Sequence, residues 1–197
     1  MAESEGNMPN HVTNQIVFNG HQNDINMVLE LIKGETECID FEKIVPPPNN
    51  LYHGNLGPEE RAKYGANNWY DWNMHNWGTK WNAYSTSVDE KNNTICFDTA
   101  WSSPIPVLEA LAKLCCKYNV SFSGIWADEN RGYNVGVFKS SCNSINCCFN
   151  YKYVENCSSQ AYEIYITLNG ENNCIGRDKN GNWFHYNCDT CPNRDEC

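Results

Sequence analysis

The sequence has no long apolar run and no cluster of basic residues. No segment approaches the ~20 consecutive apolar residues of a membrane-spanning helix, and the first residues, MAESEGNMPNH, are acidic and polar where a secretory signal is basic and then apolar. Lys and Arg are scattered singly, so no basic surface is expected to neutralise a phosphate backbone. We therefore expect a cytoplasmic protein that neither enters a membrane nor binds duplex nucleic acid nonspecifically.

The chain also has no internal repeat and no low-complexity linker. Its 197 residues are 41% hydrophobic, which is enough apolar material for one globular domain with a small appendage. The formal net charge is −10. An acidic surface of this kind either keeps the protein soluble or attracts basic proteins, including those that bind nucleic acid.

The twelve cysteines need a separate explanation in a protein expected in the cytoplasm. A reducing compartment keeps thiols free unless a metal holds them. Disulfides are therefore not the first expectation from the sequence.

Apolar spacing in the first half predicts alternating strands and helices. HVTNQIVFNG is apolar and β-branched, which predicts a strand. Ile25, Val28 and Ile32 come next at helical spacing, which predicts a helix. Three prolines from Pro46 onward must end the next strand. The predicted elements are strands over 11–18, 38–45, 81–88 and 94–101, and helices over 23–34, 58–64 and 69–76.

In the second half, SSPIPVLEALAKLCCKY is the clearest helix, with Pro104 in its first turn. Strands are predicted over 120–128 and 133–140, and an irregular or β segment over 142–157. Residues 159–170 fit either a helix or a strand, and their apolar spacing favours the helix. Asn180-Gly181 predicts a final hairpin turn. The order implies an α+β sandwich with helices on one face of a largely antiparallel sheet and a helical insertion at about 49–80.

Four segments carry a family resemblance: MPNHVTNQIVFNG, NWGTKWNAY, TAWSSPIPVLEAL and ADENRGYNVG. In this order they resemble the YubB-type ferredoxin-like domain family of phages and plasmids, over roughly residues 8–170. The resemblance implies a ferredoxin-like α+β core and a mobile-element origin, and it does not imply an iron–sulfur cluster. Residues 1–7 are expected to be a disordered extension, and residues 171–197 form a Cys-rich tail that the resemblance does not cover.

The stretch NMHNWGTKWNAYS combines aromatic rings with amide and hydroxyl side chains. One interpretation is a pocket for a nucleobase, a nucleotide second messenger or a peptide loop, with stacking faces and directional hydrogen bonds. The other is structural: Lys80 pairs with Asp128 or Glu129, and the amides cap helix ends. The candidate binding residues are Asn76, Trp77, Thr79, Lys80, Trp81, Asn82, Tyr84, Asp128 and Glu129.

Adjacent carboxylates in WADENRG can act in acid–base chemistry or bind a hard cation. Asp128 and Glu129 would have to converge with His75 for a hydrolase or transferase. No activated nucleophile, phosphate-binding glycine loop or second acidic cluster accompanies them, and the five histidines are isolated. We therefore assign no catalytic residue and favour a role that is not enzymatic, with the hydrolase kept as an alternative.

The tail offers a metal-ligand pattern. Cys188-x-x-Cys191 is followed by Cys197, and Cys174 lies across the predicted hairpin. These four thiols suit a structural, tetrahedral zinc ion, although free thiols or disulfides are alternatives. A rival or additional cluster is offered by Cys142, Cys147, Cys148 and Cys157.

Three hypotheses about function follow. The first is a non-enzymatic mobile-element protein that binds a host protein, such as a CRISPR effector, and inhibits host defence in the bacterial cytoplasm. The second is a sponge or sensor that holds a nucleotide in the aromatic pocket. The third is the hydrolase with Asp128 and Glu129.

Overall fold

The computed structural model describes residues 9–142, 147–171 and 173–186. The predicted disordered extension over residues 1–7 lies outside these ranges, as do Cys188, Cys191 and Cys197 of the predicted zinc site.

Six strands form one antiparallel sheet in the order β2-β3-β1-β4-β5-β6. They are β1 (His11–Asn19), β2 (Tyr84–Asp89), β3 (Thr94–Ala100), β4 (Ser121–Asp128), β5 (Gly136–Cys142) and β6 (Cys147–Tyr153). The first four strands have the order of a ferredoxin-like domain, and β5 and β6 extend the sheet beyond β4. The predicted ferredoxin-like α+β class is thus confirmed.

Six helices occur in the described ranges: α1 (Gln22–Ile32), α2 (Phe41–Ile44), α3 (Pro58–Tyr64), α4 (Trp69–Asn76), α5 (Ile105–Cys116) and α6 (Ser159–Asn169). The helical insertion predicted at about 49–80 contains α3 and α4. A second, two-stranded sheet joins β7 (Ile175–Arg177) to β8 (Trp183–His185), as the Asn180-Gly181 turn predicted.

The main core lies between α1, α5 and one face of the sheet. Alternate residues of β1 are buried, as period-two patterning requires, and they meet apolar stripes from both helices. The buried helical residues are Ile25, Val28 and Ile32 of α1 and Val107, Leu108, Leu111, Ala112 and Cys115 of α5. Phe97 and Trp126 complete this face from β3 and β4.

A second core lies on the opposite face, beneath α6. Ala127 and Ile125 alternate with Trp126 along β4, so they face away from the main core. They pack with Ala161 and Ile164 of α6. Helix α6 therefore adds a third layer, which the prediction of helices on one face did not include. The helix predicted over 159–170 is confirmed.

The strand predicted over 38–45 is wrong. The segment instead contains the short helix α2, because two polar side chains, one at the helix start and one distant in the sequence, satisfy its first backbone N–H groups. Asp40 caps the helix by accepting from the backbone N–H of Glu42, and the N–H of Phe41 donates to the Asn82 side chain at 2.8 Å. Both N–H groups are therefore unavailable to a strand ladder.

The strand predicted over 81–88 begins later, at Tyr84. Residues 81–83 stay outside the ladder, and the pairing of β2 with β3 is irregular between Tyr84 and Ser87. This late start leaves Trp81 on a connecting segment at the edge of the sheet. In the described part of the chain, no helix is long and apolar enough to cross a membrane.

Candidate ligand-binding site

The first half of the aromatic stretch is built into the fold. Asn73 donates through Nδ2 to the carbonyl of Lys80 at 2.9 Å, and Asn76 donates to the carbonyl of Trp72. Thr79, fully buried, donates to the carbonyl of Ala100 at 2.7 Å. These polar groups satisfy backbone carbonyls inside the protein, so they are not free to select a ligand.

Trp77 also belongs to the first half of the stretch and is part of the protein interior. Its side chain is 4% exposed, its ring meets Phe41 edge-on, and its indole N–H donates to the carbonyl of Val45 at 3.0 Å. Gly78 follows with a φ of +76°, and a Cβ there would lie 2.7 Å from Cδ of Pro106. Glycine is required because the backbone is left-handed and the start of α5 packs directly against it.

Asn82 fixes the segment to α2. Its Oδ1 accepts from the backbone N–H of Phe41 and its Nδ2 donates to Asp40 at 2.7 Å. This is the helix-capping role that the structural interpretation gave to the amides. The Asn82 amide therefore holds the end of the stretch in place. Asn82 also lines a surface cavity.

Lys80 lies between two exposed indole rings. Its Nζ is 4.6 Å from the ring centroid of Trp81 and 5.0 Å from that of Trp101. The two tryptophan residues are 37% and 36% exposed. The predicted pairing of Lys80 with Asp128 or Glu129 is wrong: none of the ion pairs among the described residues involves Lys80.

Asp128 has other partners, which explains that error. It is 5% exposed and accepts from the side chains of Asn10 and Asn134 and from the backbone N–H of Asn130. Asn134 also donates to the carbonyl of Trp101 at 3.0 Å. The carboxylate thus helps to hold Trp101, whose φ of +72° is unfavourable for a residue with a side chain.

Tyr84 joins the exposed half to β1. Its hydroxyl lies 2.8 Å from Nδ1 of His11, and its ring contacts that of Trp81. Burial, followed by the nearby carboxylates of Asp98 and Glu129, raises the pKa of Tyr84 to about 12. The hydroxyl therefore stays protonated at neutral pH.

A cavity of about 270 Å³ opens where the two halves of the stretch meet α2 and α4. It is lined by Glu42, Pro47, His53, Trp69, Asn73, Trp77, Trp81 and Asn82. The indole N–H of Trp69 donates to the carbonyl of Gly54 at 3.1 Å, as that of Trp77 does to Val45. These two indoles therefore offer a ligand ring surface and no free donor.

The charge of this cavity limits what it can hold. Glu42 is an acidic lining residue, and no Lys or Arg is among the lining residues. Aromatic ring faces carry negative potential and attract cations. The arrangement favours a cationic or apolar group over a phosphate.

The structure therefore divides the predicted site residues. Trp77, Trp81 and Asn82 line the cavity, and Lys80 and Tyr84 contact Trp81 from outside it. Asn76, Thr79 and Asp128 have structural partners. Glu129 lines a separate cavity of about 540 Å³.

Sequence reasoning missed Glu42, His53, Trp69 and Trp101. A tryptophan at the start of α4 was a signal for Trp69, but nothing in the spacing of the sequence joins residues 42–53 to residue 81. His75, which the hydrolase hypothesis needs, is exposed on α4 and has no hydrogen bond or ion pair with Asp128 or Glu129 among the described residues.

A cysteine cluster lies elsewhere in the molecule. The sulfurs of Cys116, Cys142 and Cys147 are all within 4.8 Å of one another, so these residues could hold a metal ion. Two of them belong to the rival cluster suggested by the sequence. Cys148 and Cys157, its other members, are exposed and not part of the group.

Of the four predicted zinc ligands in the tail, only Cys174 is described. It is 2% exposed and disulfide-bonded, and its carbonyl accepts from the backbone N–H of Tyr186. A disulfide sulfur is not a thiolate ligand in that state. Because Cys188, Cys191 and Cys197 lie outside the described residues, the four-cysteine zinc site stays a prediction.

Comparison with family models places a ferredoxin-like domain of Api92-like proteins on residues 80–164. The match covers a little under half of the chain, from Lys80 through β2 to β6 and into α6. No curated protein and no solved structure matches the chain significantly. Most of the cavity's lining residues come from the part of the chain before the match begins.

Proposed function

We propose that this protein is a non-enzymatic accessory protein of a phage or plasmid that binds a basic host protein in the bacterial cytoplasm. A nucleic-acid-binding immune effector, such as a CRISPR effector, is the partner class proposed, and inhibition of host defence is the proposed result. The mobile-element origin rests on the resemblance to the YubB-type family. The observation that carries the binding mode is the Trp-lined cavity with Glu42 as its charged group.

The cavity suits the side chain of an arginine or lysine. A cation over a tryptophan ring gains roughly 0.5–1 kcal/mol at exposed sites and about 2 when desolvated. Glu42, which lines the same cavity, would add a carboxylate partner. Tryptophan, tyrosine and arginine are also the residues that dominate binding energy at protein interfaces.

A second surface supports a basic partner. A groove of about 690 Å³ between α1, the loop after it and β2 is lined by Glu30, Glu35, Glu37 and Glu90. Lys33 is the one cation among its lining residues, and it pairs with Glu30 at 2.7 Å. Together with the net charge of −10, this groove would attract and orient a positively charged protein.

The experiment is a pull-down from host lysate with matched variants. We expect the wild type to capture a basic protein and Trp81→Ala and Glu42→Gln to lose it. Glu59→Gln, an exposed carboxylate outside the cavity, removes the same charge and should retain the partner. Equal capture by all four proteins would overturn the proposed binding mode, and capture of nothing by the wild type would overturn the function.

A nucleotide is the second candidate ligand, favoured by the ring surfaces of three tryptophans in one cavity. No Lys or Arg is among the lining residues, which disfavours the phosphates, so a nucleoside should then bind better than its phosphate. Thermal unfolding with a nucleoside and nucleotide library tests this, because a ligand at 100 times its Kd stabilises the protein by about 2.7 kcal/mol. No shift with any member would remove this candidate.

Zinc in the tail remains part of the proposal. Under reducing conditions Cys174, Cys188, Cys191 and Cys197 would supply four thiolates to a structural zinc ion. Elemental analysis of protein purified with a reductant and without a chelator should find this zinc. Removing it by chelation should unfold the tail and leave the ferredoxin-like core folded.

A further inference from the structure

Three cysteines from separate elements meet at one end of the sheet. Cys116 is the last residue of α5, Cys142 the last of β5 and Cys147 the first of β6. Cys142 and Cys147 are directly paired across the β5–β6 hairpin. Their three sulfurs lie within 4.8 Å of one another, although Cys116 is 26 residues from the nearer of the other two along the chain.

All three side chains are half-buried. The Cys142 thiol donates to the carbonyl of Val120 at 3.2 Å, and Cys147 packs against the main core. Otherwise the three thiols face one another, and a thiol is a weak donor and a weak acceptor. Soft thiolates gathered in this way favour zinc or copper(I) over hard cations.

We propose that Cys116, Cys142 and Cys147 form a zinc site with three protein thiolates and one open coordination position. On binding, the three S–H groups release three protons and form three zinc–sulfur bonds, with no change in oxidation state. Tetrahedral zinc–sulfur bonds of about 2.3 Å place sulfurs about 3.8 Å apart. The observed spacing of at most 4.8 Å requires each sulfur to move by less than its own radius.

The site would fasten the two added strands to the ferredoxin-like core. Strands β5 and β6 extend the sheet beyond β4, and the Cys116 ligand comes from α5 in the core layer. The site is separate from the tail, because β7 and β8 pack with α6 on the opposite face of the sheet. It does not depend on the proposed binding function.

The test uses the full chain with Cys188→Ser and Cys191→Ser, so that the predicted tail site cannot bind zinc. Protein kept reduced is titrated with Zn²⁺, and bound metal is measured after removal of free ions. We expect one equivalent, with X-ray absorption showing three sulfur neighbours at about 2.3 Å. Cys116→Ser and Cys142→Ser should lower the affinity for zinc at least tenfold, while Cys96→Ser on β3 should not change it.

The proposal would be overturned by the absence of retained zinc, or by zinc with fewer than three sulfur neighbours. A Cys142–Cys147 disulfide that survives reductant, seen by mass spectrometry as a linked pair of peptides that contain these two residues, would also overturn it. X-ray absorption on the protein that keeps Cys116, Cys142 and Cys147 tests the zinc site even if a serine variant fails to fold.

Discussion

The two halves of the stretch from Asn73 to Tyr84 use the same residue types for different purposes. Trp77 is buried, and its indole N–H binds the Val45 carbonyl. Trp81, four residues later, is 37% exposed, forms no hydrogen bond with another described residue, and contacts Lys80 and Tyr84. Composition therefore does not separate a buried, hydrogen-bonded tryptophan from an exposed one. The partner of the indole N–H and the exposed fraction of the side chain do.

The boundary between the halves coincides with Gly78 and Thr79. Before it, side chains satisfy backbone carbonyls: Asn73 that of Lys80, and Trp77 that of Val45 just after α2. After it, rings remain accessible at the mouth of the cavity. The buried half fixes the position of the exposed half, so stability and binding should respond differently to substitutions only a few residues apart.

The largest expected effect is on stability, at Trp77. Trp77→Ala should lower the free energy of unfolding by about 3–5 kcal/mol, because a buried aromatic ring is lost and a cavity is left. Trp81→Ala should lower it by less than about 1 kcal/mol, as is usual for surface positions. Chemical denaturation of the two variants measures the contrast, and equal losses would contradict the division of the stretch.

The next effect is at the boundary itself. Gly78→Ala should cost about 1–3 kcal/mol, because alanine must adopt a φ of +76° and its Cβ would clash with Pro106. Gly181→Ala is the matched control, since Gly181 also has a positive φ but nothing within 4 Å of a new Cβ. A smaller loss at Gly78 than at Gly181 would show that the close contact with α5 does not matter.

A smaller difference in stability is expected between substitutions of Asn82 and Asn76, two amide residues of the stretch. Asn82→Ala should cost about 1–2 kcal/mol, because it removes the partner of the Phe41 N–H and a bond to Asp40. Asn76→Ala should cost only a few tenths of a kcal/mol, since its single bond lies within one helical turn, where alanine is the better helix former. Thermal unfolding of both variants tests the order.

The smallest effect appears only at high pH. The pKa of Tyr84 is about 12 in the folded protein, against about 10 in an unfolded chain. The folded state therefore binds this proton more tightly, and the stability that Tyr84 contributes is fully present below pH ~10 and lost as the pH rises towards ~12. Stability curves against pH should show this decline in the wild type and in Tyr70→Phe, and a shallower one in Tyr84→Phe.

The pattern of apolar residues predicted most of the sheet and the long helices correctly. Alternate residues of β1 are buried, and α5 buries residues at helical spacing. Both patterns can be read from the order of apolar residues along the sequence. Helix α2 was mistaken for a strand because its stability depends on Asn82, which lies about forty residues away. A local pattern cannot report such a partner.

The candidate site was only partly predictable for the same reason. The sequence showed the aromatic stretch, but Trp101 meets Lys80 only in the folded protein. Glu42 reaches the cavity from α2, and His53 reaches it from the segment that follows α2. Likewise, Cys116 joins Cys142 and Cys147 only when α5 packs on the sheet. Residue types indicated an aromatic site and a cysteine cluster. Tertiary contacts decided which residues belong to each.

The most direct test of the cationic-ligand account follows the indole N–H signals of nitrogen-15-labelled protein by NMR. An arginine-rich peptide and a mononucleotide are titrated separately, with Trp81→Ala identifying the Trp81 signal. We expect the peptide to shift the Trp81 and Trp69 signals and the nucleotide to leave them in place, and we expect Glu42→Gln to weaken the peptide effect. Shifts of these signals with the nucleotide but not with the peptide would contradict it.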